Sequence, residues 1–150
     1  MWGTYGQILT KNSFKSLLEQ YPDEVGGYKS FIEQNWLGKR TADCGGLIKG
    51  YVWLNVETKQ IEVGANGLPA LRADEIYAQA TEKGAIGSMP EIVGLAVWKP
   101  GHIGVYIGEG KVIEAMGTIS GVVETNLEGS SWTHWLKVPS ITYVETEREE

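Results

Sequence analysis

Short apolar runs broken by glycine, from residue 93 onward, constrain the fold of this chain more than any other feature. Each run has the length of a strand and ends at a turn residue, which is typical of strands that follow one another in an antiparallel sheet. The five runs are VGLAVWK, HIGVYIG, KVIEAMG, GVVETNL and HWLKVPSITYV. We therefore predict that the last third of the chain forms a sheet.

The residues before these runs have the spacing of helices. Residues 12–36 predict two short helices separated by YPDEVGG, and from Cys44 onward apolar residues recur at i, i+3, i+4 and i+7. Asp43 is suited to cap the helix that begins at Cys44, RADEIYAQATEKG predicts a helix that ends at Gly84, and residues 55–70 predict an exposed loop. Because helices precede strands, we predict an α+β fold with helices packed on one face of a meandering antiparallel sheet.

Composition favours one domain and argues against two classes of partner. The chain has 150 residues, of which 42% are hydrophobic, and this is enough for one compact core. A net charge of -6 without basic stripes argues against nucleic acid, and no apolar run reaches the ~18 residues of a membrane span. The start MWGTYGQILTKNS lacks the regions of a signal peptide, and about residues 145–150 form a charged tail. We expect a single monomeric domain.

The only cysteine, Cys44, lies between Asp43 and two glycines. A thiol in the first turn of a helix becomes a good nucleophile when unpaired backbone amides and the helix dipole stabilise its thiolate. Gly45 and Gly46 leave room above the sulfur for a substrate carbonyl, and they leave amides free for a developing oxyanion. A cysteine that only packs in the core explains this segment equally well, so the segment alone does not decide between the two.

A cysteine nucleophile needs a base, and the chain has two histidines. His102 begins the run HIGVYIG, in which isoleucine and valine alternate with glycine and tyrosine. We expect His102 to lie on the less apolar face of this strand, which a glycine two residues later keeps open. His134 lies among tryptophans near the end of the chain, and this setting favours a packing or surface role.

Glu114 is the carboxylate in the next predicted strand. The sequence IGEGK predicts a hairpin between the strands of His102 and Glu114. If the loop has an odd number of residues, such as 108–110, Glu114 lies on the same face as His102 and can orient its imidazole. A two-residue loop would put the two side chains on opposite faces. As an alternative, Glu114 is an edge-strand charge that faces water.

The blocks DCGGLI, GHIGVYIGEG and VIEAMG, followed by GVVETNL and a tryptophan-rich end, resemble the NlpC-type family of papain-like cysteine peptidases. The resemblance spans residues 41–138. It implies a papain-like fold in which Cys44 is the nucleophile, His102 the base and Glu114 the orienting residue, with no metal or cofactor. The family usually has serine after the cysteine, where this chain has Gly45, and more commonly histidine as the third residue.

The resemblance also implies a function. Members of this family hydrolyse peptides of the bacterial cell wall, so we expect a peptidoglycan hydrolase that cleaves stem or cross-bridge peptides through a thioester. Two kinds of protein agree with this expectation: a phage lysin and the catalytic domain of a secreted wall hydrolase. A CHAP-type N-acetylmuramoyl-L-alanine amidase or endopeptidase is the nearest alternative, although its acidic residue usually lies further beyond the histidine. A wall-binding module without catalytic activity, which would use the six tryptophans and seven tyrosines, is another.

The N-terminal side differs from the family pattern. WGTYG resembles an aromatic-Gly-Gly turn that normally lies close before the cysteine, so residues 7–40 are predicted to be an insertion. The tyrosine that precedes this turn in the family has no counterpart here, and another aromatic residue is expected to line the cleft. The candidates are Tyr5 and, from the insertion, Tyr28 and Trp36. Our predicted substrate-binding set is Asp43, Gly45, Tyr5 and Trp36.

Overall fold

The computed structural model describes residues 1–144, and the predicted tail at 145–150 lies outside the described residues. The α+β class is confirmed, since helices pack against an antiparallel sheet. The α-helices are α1 (Lys11–Gln20), α2 (Lys29–Asn35), α3 (Cys44–Trp53) and α4 (Ala73–Gln79). The strands are β1 (Tyr5–Ile8), β2 (Arg40–Ala42), β3 (Lys83–Ala85), β4 (Ala96–Lys99), β5 (His102–Gly108), β6 (Lys111–Ala115), β7 (Val122–Asn126) and β8 (His134–Leu136).

The main sheet has six strands in the order β3-β8-β4-β5-β6-β7. Strands β4 to β7 form the predicted meander, but β8 returns to pair with both β3 and β4. The last predicted run also contributes only three residues to the sheet. Pro139 follows soon after β8, and a proline cannot donate to a strand ladder.

The predicted helices are present, and one of them is shorter than expected. Helix α4 ends at Gln79, and Gly84 lies within β3 instead of ending the helix. Gly84 pairs with Trp135 of β8, and a methyl group at position 84 would lie 3.0 Å from the Trp135 indole nitrogen. Gly84 therefore permits the close contact between β3 and β8. Because residues 83–85 pair with β8, they belong to a strand and not to the end of α4.

The hydrophobic core lies between the helices α3 and α4 and one face of the main sheet. Its buried members include Ile48, Trp53, Ile76, Ile103 and Leu136. Helices α1 and α2 form a second, smaller core with the residues around them, and this core includes Leu9, Phe14, Leu17, Val25 and Ile32. Within residues 1–144, no helix has the length and apolar character that crossing a membrane requires.

Strands β1 and β2 pair with each other next to α3. The chain therefore leaves this ribbon at Ile8, forms the helical unit of α1 and α2, and returns at Arg40. Two glycines of α3 allow β1 to approach the helix closely. Methyl groups at positions 46 and 50 would lie 1.9 Å and 2.3 Å from the carbonyl oxygens of Thr4 and Tyr5. Gly46 therefore makes room for β1, and the expectation that it opens space above the sulfur is wrong.

We expect Gly46→Ala to lower the free energy of unfolding by about 3 kcal/mol, because the added methyl group has no space unless β1 moves away from α3. Urea denaturation followed by circular dichroism measures this difference. Gly27→Ala is the matched control, since a methyl group there meets no atom within 4 Å. Equal stability of the two variants would contradict the close approach of β1.

Candidate active site

Cys44 is the first residue of α3, and Asp43 caps the helix as predicted. One Asp43 carboxylate oxygen accepts a hydrogen bond from the Gly46 amide at 2.6 Å, and the other accepts one from the Gly3 amide at 3.2 Å. Cys44 is a free thiol and is partly buried. The backbone amide of Ile103, the residue after His102, lies close enough to the sulfur to lower the pKa of the thiol. This contact brings the start of β5 to the start of α3.

The surroundings of the Cys44 thiol favour its protonated form. Burial raises the pKa of this thiol, and the nearby carboxylate of Asp43 raises it further. Hydrogen bonds from the backbone amides of Ile103, Gly45 and Cys44 lower the pKa, but their combined effect is smaller. The helix start therefore does not produce a resting thiolate, because desolvation and a like charge outweigh the amides. A base must remove the proton when the sulfur reacts.

We expect the alkylation of Cys44 by iodoacetamide to rise with pH around a midpoint above that of the same thiol in the urea-unfolded chain. Iodoacetamide reacts with the thiolate, so the rate follows the ionised fraction. Mass spectrometry of the alkylated protein measures the rate at each pH. The same shift removes stability from the folded state as the pH rises through the folded pKa, because the unfolded chain ionises this thiol more easily. A folded midpoint below the unfolded one would contradict the raised pKa.

The structure brings His102 and Glu114 together. The Nε2 atom of His102 lies 2.7 Å from Oε1 of Glu114, and both side chains are mostly shielded from solvent. Val105 pairs with Ile113 and Tyr106 with Val112, a register that places residues 102 and 114 on the same face. A bulge near the turn produces this register, although only two residues lie between the last pair, Gly108 and Lys111. His102 and Glu114 therefore lie on the same face, as expected, but a bulge and not an odd number of loop residues is the cause.

Glu114 lies inside the sheet, because β6 has β5 on one side and β7 on the other. It is 6% exposed, so the alternative of an edge-strand charge facing water is wrong. Its second oxygen, Oε2, accepts a hydrogen bond of 2.5 Å from the Thr125 hydroxyl on β7. Thr125 was not predicted as a site residue. The alternation of polar and apolar residues in GVVETNL indicated that this strand has a polar face. The sequence did not show that the strand pairs with β6, which carries Glu114.

Trp132 is a second residue that the sequence analysis missed. Its ring stacks on the His102 imidazole, with ring centroids 5.1 Å apart and planes 11° from parallel. Gly104 permits this contact, since a methyl group there would lie 3.2 Å from the Trp132 ring. The expectation that this glycine keeps the histidine face of β5 open is therefore wrong, because Trp132 covers it. The stack holds the plane of the imidazole and shields its bond to Glu114 from water.

Cys44 and His102 line the same cleft, which has a volume of about 920 Å³. Asp43 and Gly45, two of the predicted substrate-binding residues, line it as well. Other lining residues come from the N-terminus, Lys49 of α3 and Gly101, and from the helical unit, the start of α4 and the loop after β6. They include Asp23, Glu24, Tyr28, Arg72, Asp74, Glu75, Met116 and Thr118. Acidic side chains outnumber basic ones around the cleft, so it favours positively charged groups of a ligand.

The other two predicted substrate-binding residues, Tyr5 and Trp36, do not line this cleft. Tyr5 packs edge-on against Trp53, with ring centroids 5.6 Å apart. The Trp36 indole donates a hydrogen bond of 2.6 Å to the Thr118 carbonyl, which ties the helical unit to the loop after β6. Tyr28 is the one candidate aromatic residue that lines the cleft. Trp2, which was not a candidate, also lines it.

His134 lies away from Glu114, in a cluster of aromatic rings. It packs against Tyr77 and Trp98, whose rings are stacked with centroids 3.8 Å apart. This position agrees with the packing role expected for it. Among residues 1–144, no group of three or more histidine, cysteine, aspartate or glutamate side chains has an arrangement that could hold a metal ion.

The cleft thus combines a protonated thiol, a shielded imidazole and a buried carboxylate that accepts a hydrogen bond from Thr125. The Glu114 bond uses Nε2 of His102, which leaves Nδ1 as the ring nitrogen available to another group. This arrangement can move a proton away from a nucleophile on the cleft wall. No family model, curated protein or solved structure matches the chain.

Proposed function

We propose that this protein is a cysteine peptidase that hydrolyses peptides of the bacterial cell wall. The observation that carries the proposal is the 2.7 Å bond between His102 and Glu114 on the wall of the cleft that also contains Cys44. An oriented imidazole next to a thiol is the arrangement that nucleophilic catalysis by cysteine requires.

The choice of substrate class rests on the sequence. An aspartate-cysteine pair at a helix start, a histidine at the start of a glycine-containing strand and an acid on the next strand resemble the NlpC-type peptidases. We propose the papain-like NlpC-type fold on the same basis. The acidic side chains around the cleft favour substrate segments that carry positively charged groups.

The proposed reaction begins with the neutral thiol. His102, with the proton of its neutral ring on Nε2 and directed to Glu114, accepts the Cys44 proton on Nδ1 as the sulfur attacks the amide carbonyl. The Gly46 amide is bound to Asp43 and is not free as expected, so the Cys44 and Gly45 amides at the start of α3 donate to the developing oxyanion. The C–N bond then breaks and the leaving amine takes the proton from His102, which leaves a thioester on Cys44. His102 then takes a proton from water as the water oxygen attacks the thioester carbonyl. The C–S bond breaks, the acid is released, and His102 returns the proton to the Cys44 sulfur.

Two exposed aromatic residues are suited to hold the substrate. Trp2 and Tyr28 are 52% and 41% exposed, and both line the cleft. Aromatic side chains that keep a solvent-accessible face provide a large contact area at a small cost in conformational entropy. We assign them to contacts with the wall peptide within the cleft.

Digestion of purified peptidoglycan tests the proposal. Walls with direct cross-links and walls with peptide cross-bridges are incubated with the protein, and the released fragments are identified by mass spectrometry. The expected fragments have a new amino terminus inside a stem or cross-bridge peptide. Complete stem peptides that begin at the first residue after the muramic acid would show an amidase instead. Walls that release nothing above the buffer control would contradict both activities.

A further inference from the structure

We propose that Asp74 is a positioning residue that sets the distance between the Cys44 thiol and the His102 imidazole. The proposal rests on the proposed function, since it assigns Asp74 a role in bringing the base to the nucleophile. Asp74 is the second residue of α4 and was not among the candidate site residues. Its side chain joins this helix to the turn that precedes His102.

The turn between β4 and β5 has little support of its own. Lys99 pairs with His102, so Pro100 and Gly101 alone form the turn. Gly101 has a φ of +80°, and a methyl group at this position would meet no atom within 4 Å. The turn therefore projects into solvent on this side, and His102 is the first residue after it. Movement of the turn would move the start of β5 and the base with it.

Asp74 connects this turn to α4. Its Oδ1 atom accepts a hydrogen bond of 2.8 Å from the Gly101 amide and one of 3.0 Å from the Trp98 indole nitrogen. Gly101 lies in the turn and Trp98 lies in β4 before it, so one carboxylate oxygen holds the turn to the strand that leads into it. A hydrogen bond to a charged acceptor is shorter and stronger than one between neutral groups.

Helix α4 is itself held in place, so it can act as a support. Ala73 and Ile76 are buried in the main core, and Tyr77 stacks on Trp98 with the ring planes 4° apart. The same end of α4 also lies beside the residue that follows the nucleophile. A methyl group at Gly45, the residue after Cys44, would lie 3.4 Å from the Ala73 amide nitrogen.

The start of α4 thus contacts the neighbour of each reacting residue. Gly45 follows Cys44 in the chain, and Gly101 precedes His102. Trp132 and Glu114 hold the plane and the hydrogen bonding of the imidazole. The link through α4 therefore contributes to the spacing between sulfur and imidazole, and a misplacement of about 1 Å costs on the order of 100-fold in rate.

Steady-state kinetics on sonicated purified peptidoglycan test this role. We expect Asp74→Ala to lower kcat by about 10- to 100-fold with little change in the apparent KM. Asp74→Asn keeps an acceptor oxygen at the same place and should stay within about threefold of the wild type. Trp98→Phe removes the indole hydrogen bond but keeps an aromatic ring against Tyr77, so it should also keep most of the kcat. Glu82→Ala is a control for loss of an exposed carboxylate, since Glu82 pairs with Lys137 outside the cleft.

Three kinetic results would overturn the role of Asp74. An unchanged kcat in Asp74→Ala would show that the turn needs no support. A raised KM at constant kcat would show that the carboxylate binds substrate, and equal losses in Asp74→Ala and Asp74→Asn would show that its charge is what matters.

A measurement without substrate separates this proposal from the proposed function. We expect ¹⁵N relaxation to show faster motion of the Gly101 and His102 amides in Asp74→Ala than in the wild type or in Glu82→Ala. Unchanged relaxation would overturn the positioning role even if wall hydrolysis is confirmed. If the wild type does not hydrolyse walls, the proposed function is wrong. The relaxation measurement still tests whether Asp74 holds the turn.

Discussion

Replacing Cys44 with alanine is expected to lower the rate of wall-peptide release by about 10⁴-fold or more, because no other thiol in the chain can form the thioester. Loss of turbidity of purified walls and mass spectrometry of the released peptides both measure this rate. His102 and Glu114 remain in this variant, so the experiment removes the nucleophile and leaves the proton-transfer pair in place.

The Cys44→Ala variant should keep its fold. Cys44 is only partly buried, its side chain differs from alanine by one sulfur atom, and it accepts only backbone hydrogen bonds. We expect the loss of stability to be about 1 kcal/mol or less. A matching circular dichroism spectrum and midpoint of thermal unfolding serve as the control. Wall clearing by this variant at the wild-type rate would exclude Cys44 as the nucleophile.

Replacing Glu114 with glutamine is expected to lower kcat by about 10³- to 10⁴-fold, with a much smaller change in KM. The Glu114 carboxylate can only accept from Nε2 of His102, so the neutral ring carries its proton there and keeps Nδ1 free for the thiol proton. A glutamine amide can donate to Nε2 instead. The ring proton then lies on Nδ1, which can no longer act as the base. Initial rates over a range of peptidoglycan concentrations separate kcat from KM.

Thr125→Val provides the matched comparison for Glu114→Gln. It removes the hydrogen bond to Oε2 of Glu114 but leaves the carboxylate and its bond to His102. We expect a loss of about 10-fold, because the carboxylate is less well oriented while the ring proton stays on Nε2. Glu114 is excluded as the orienting acid if the kcat of Glu114→Gln stays close to the wild-type value. It is also excluded if only Thr125→Val lowers the kcat.

Local patterns in the sequence predicted the elements that carry the candidate site. Asp43 as a cap and the apolar spacing after Cys44 predicted the start of α3, because capping and helical periodicity depend on residues within one or two turns. Alternation along the strands predicted that His102 and Glu114 share a face only if the loop between them had an odd number of residues. The loop has two residues, and a bulge supplies the register that puts them on one face. The class of fold followed from the order of helices and strands.

Contacts between distant segments were not predictable in the same way. Gly84 had the local signature of a helix end, yet its position is decided by pairing with Trp135 across the sheet. The effect of Gly46 depends on β1, which lies about 40 residues earlier in the chain. The pKa of the Cys44 thiol depends on burial beneath segments that the helix pattern does not include.

By itself, the sequence determined which residue types the site contains and on which elements they lie: a thiol at a helix start, an imidazole at a strand start and a carboxylate on the next strand. The tertiary structure alone decided what surrounds them. It placed Trp132 over the imidazole, Thr125 against the carboxylate and Asp74 at the turn before His102. The physical reason is that capping and periodicity act over a few residues, whereas burial, stacking and strand pairing depend on where remote segments meet.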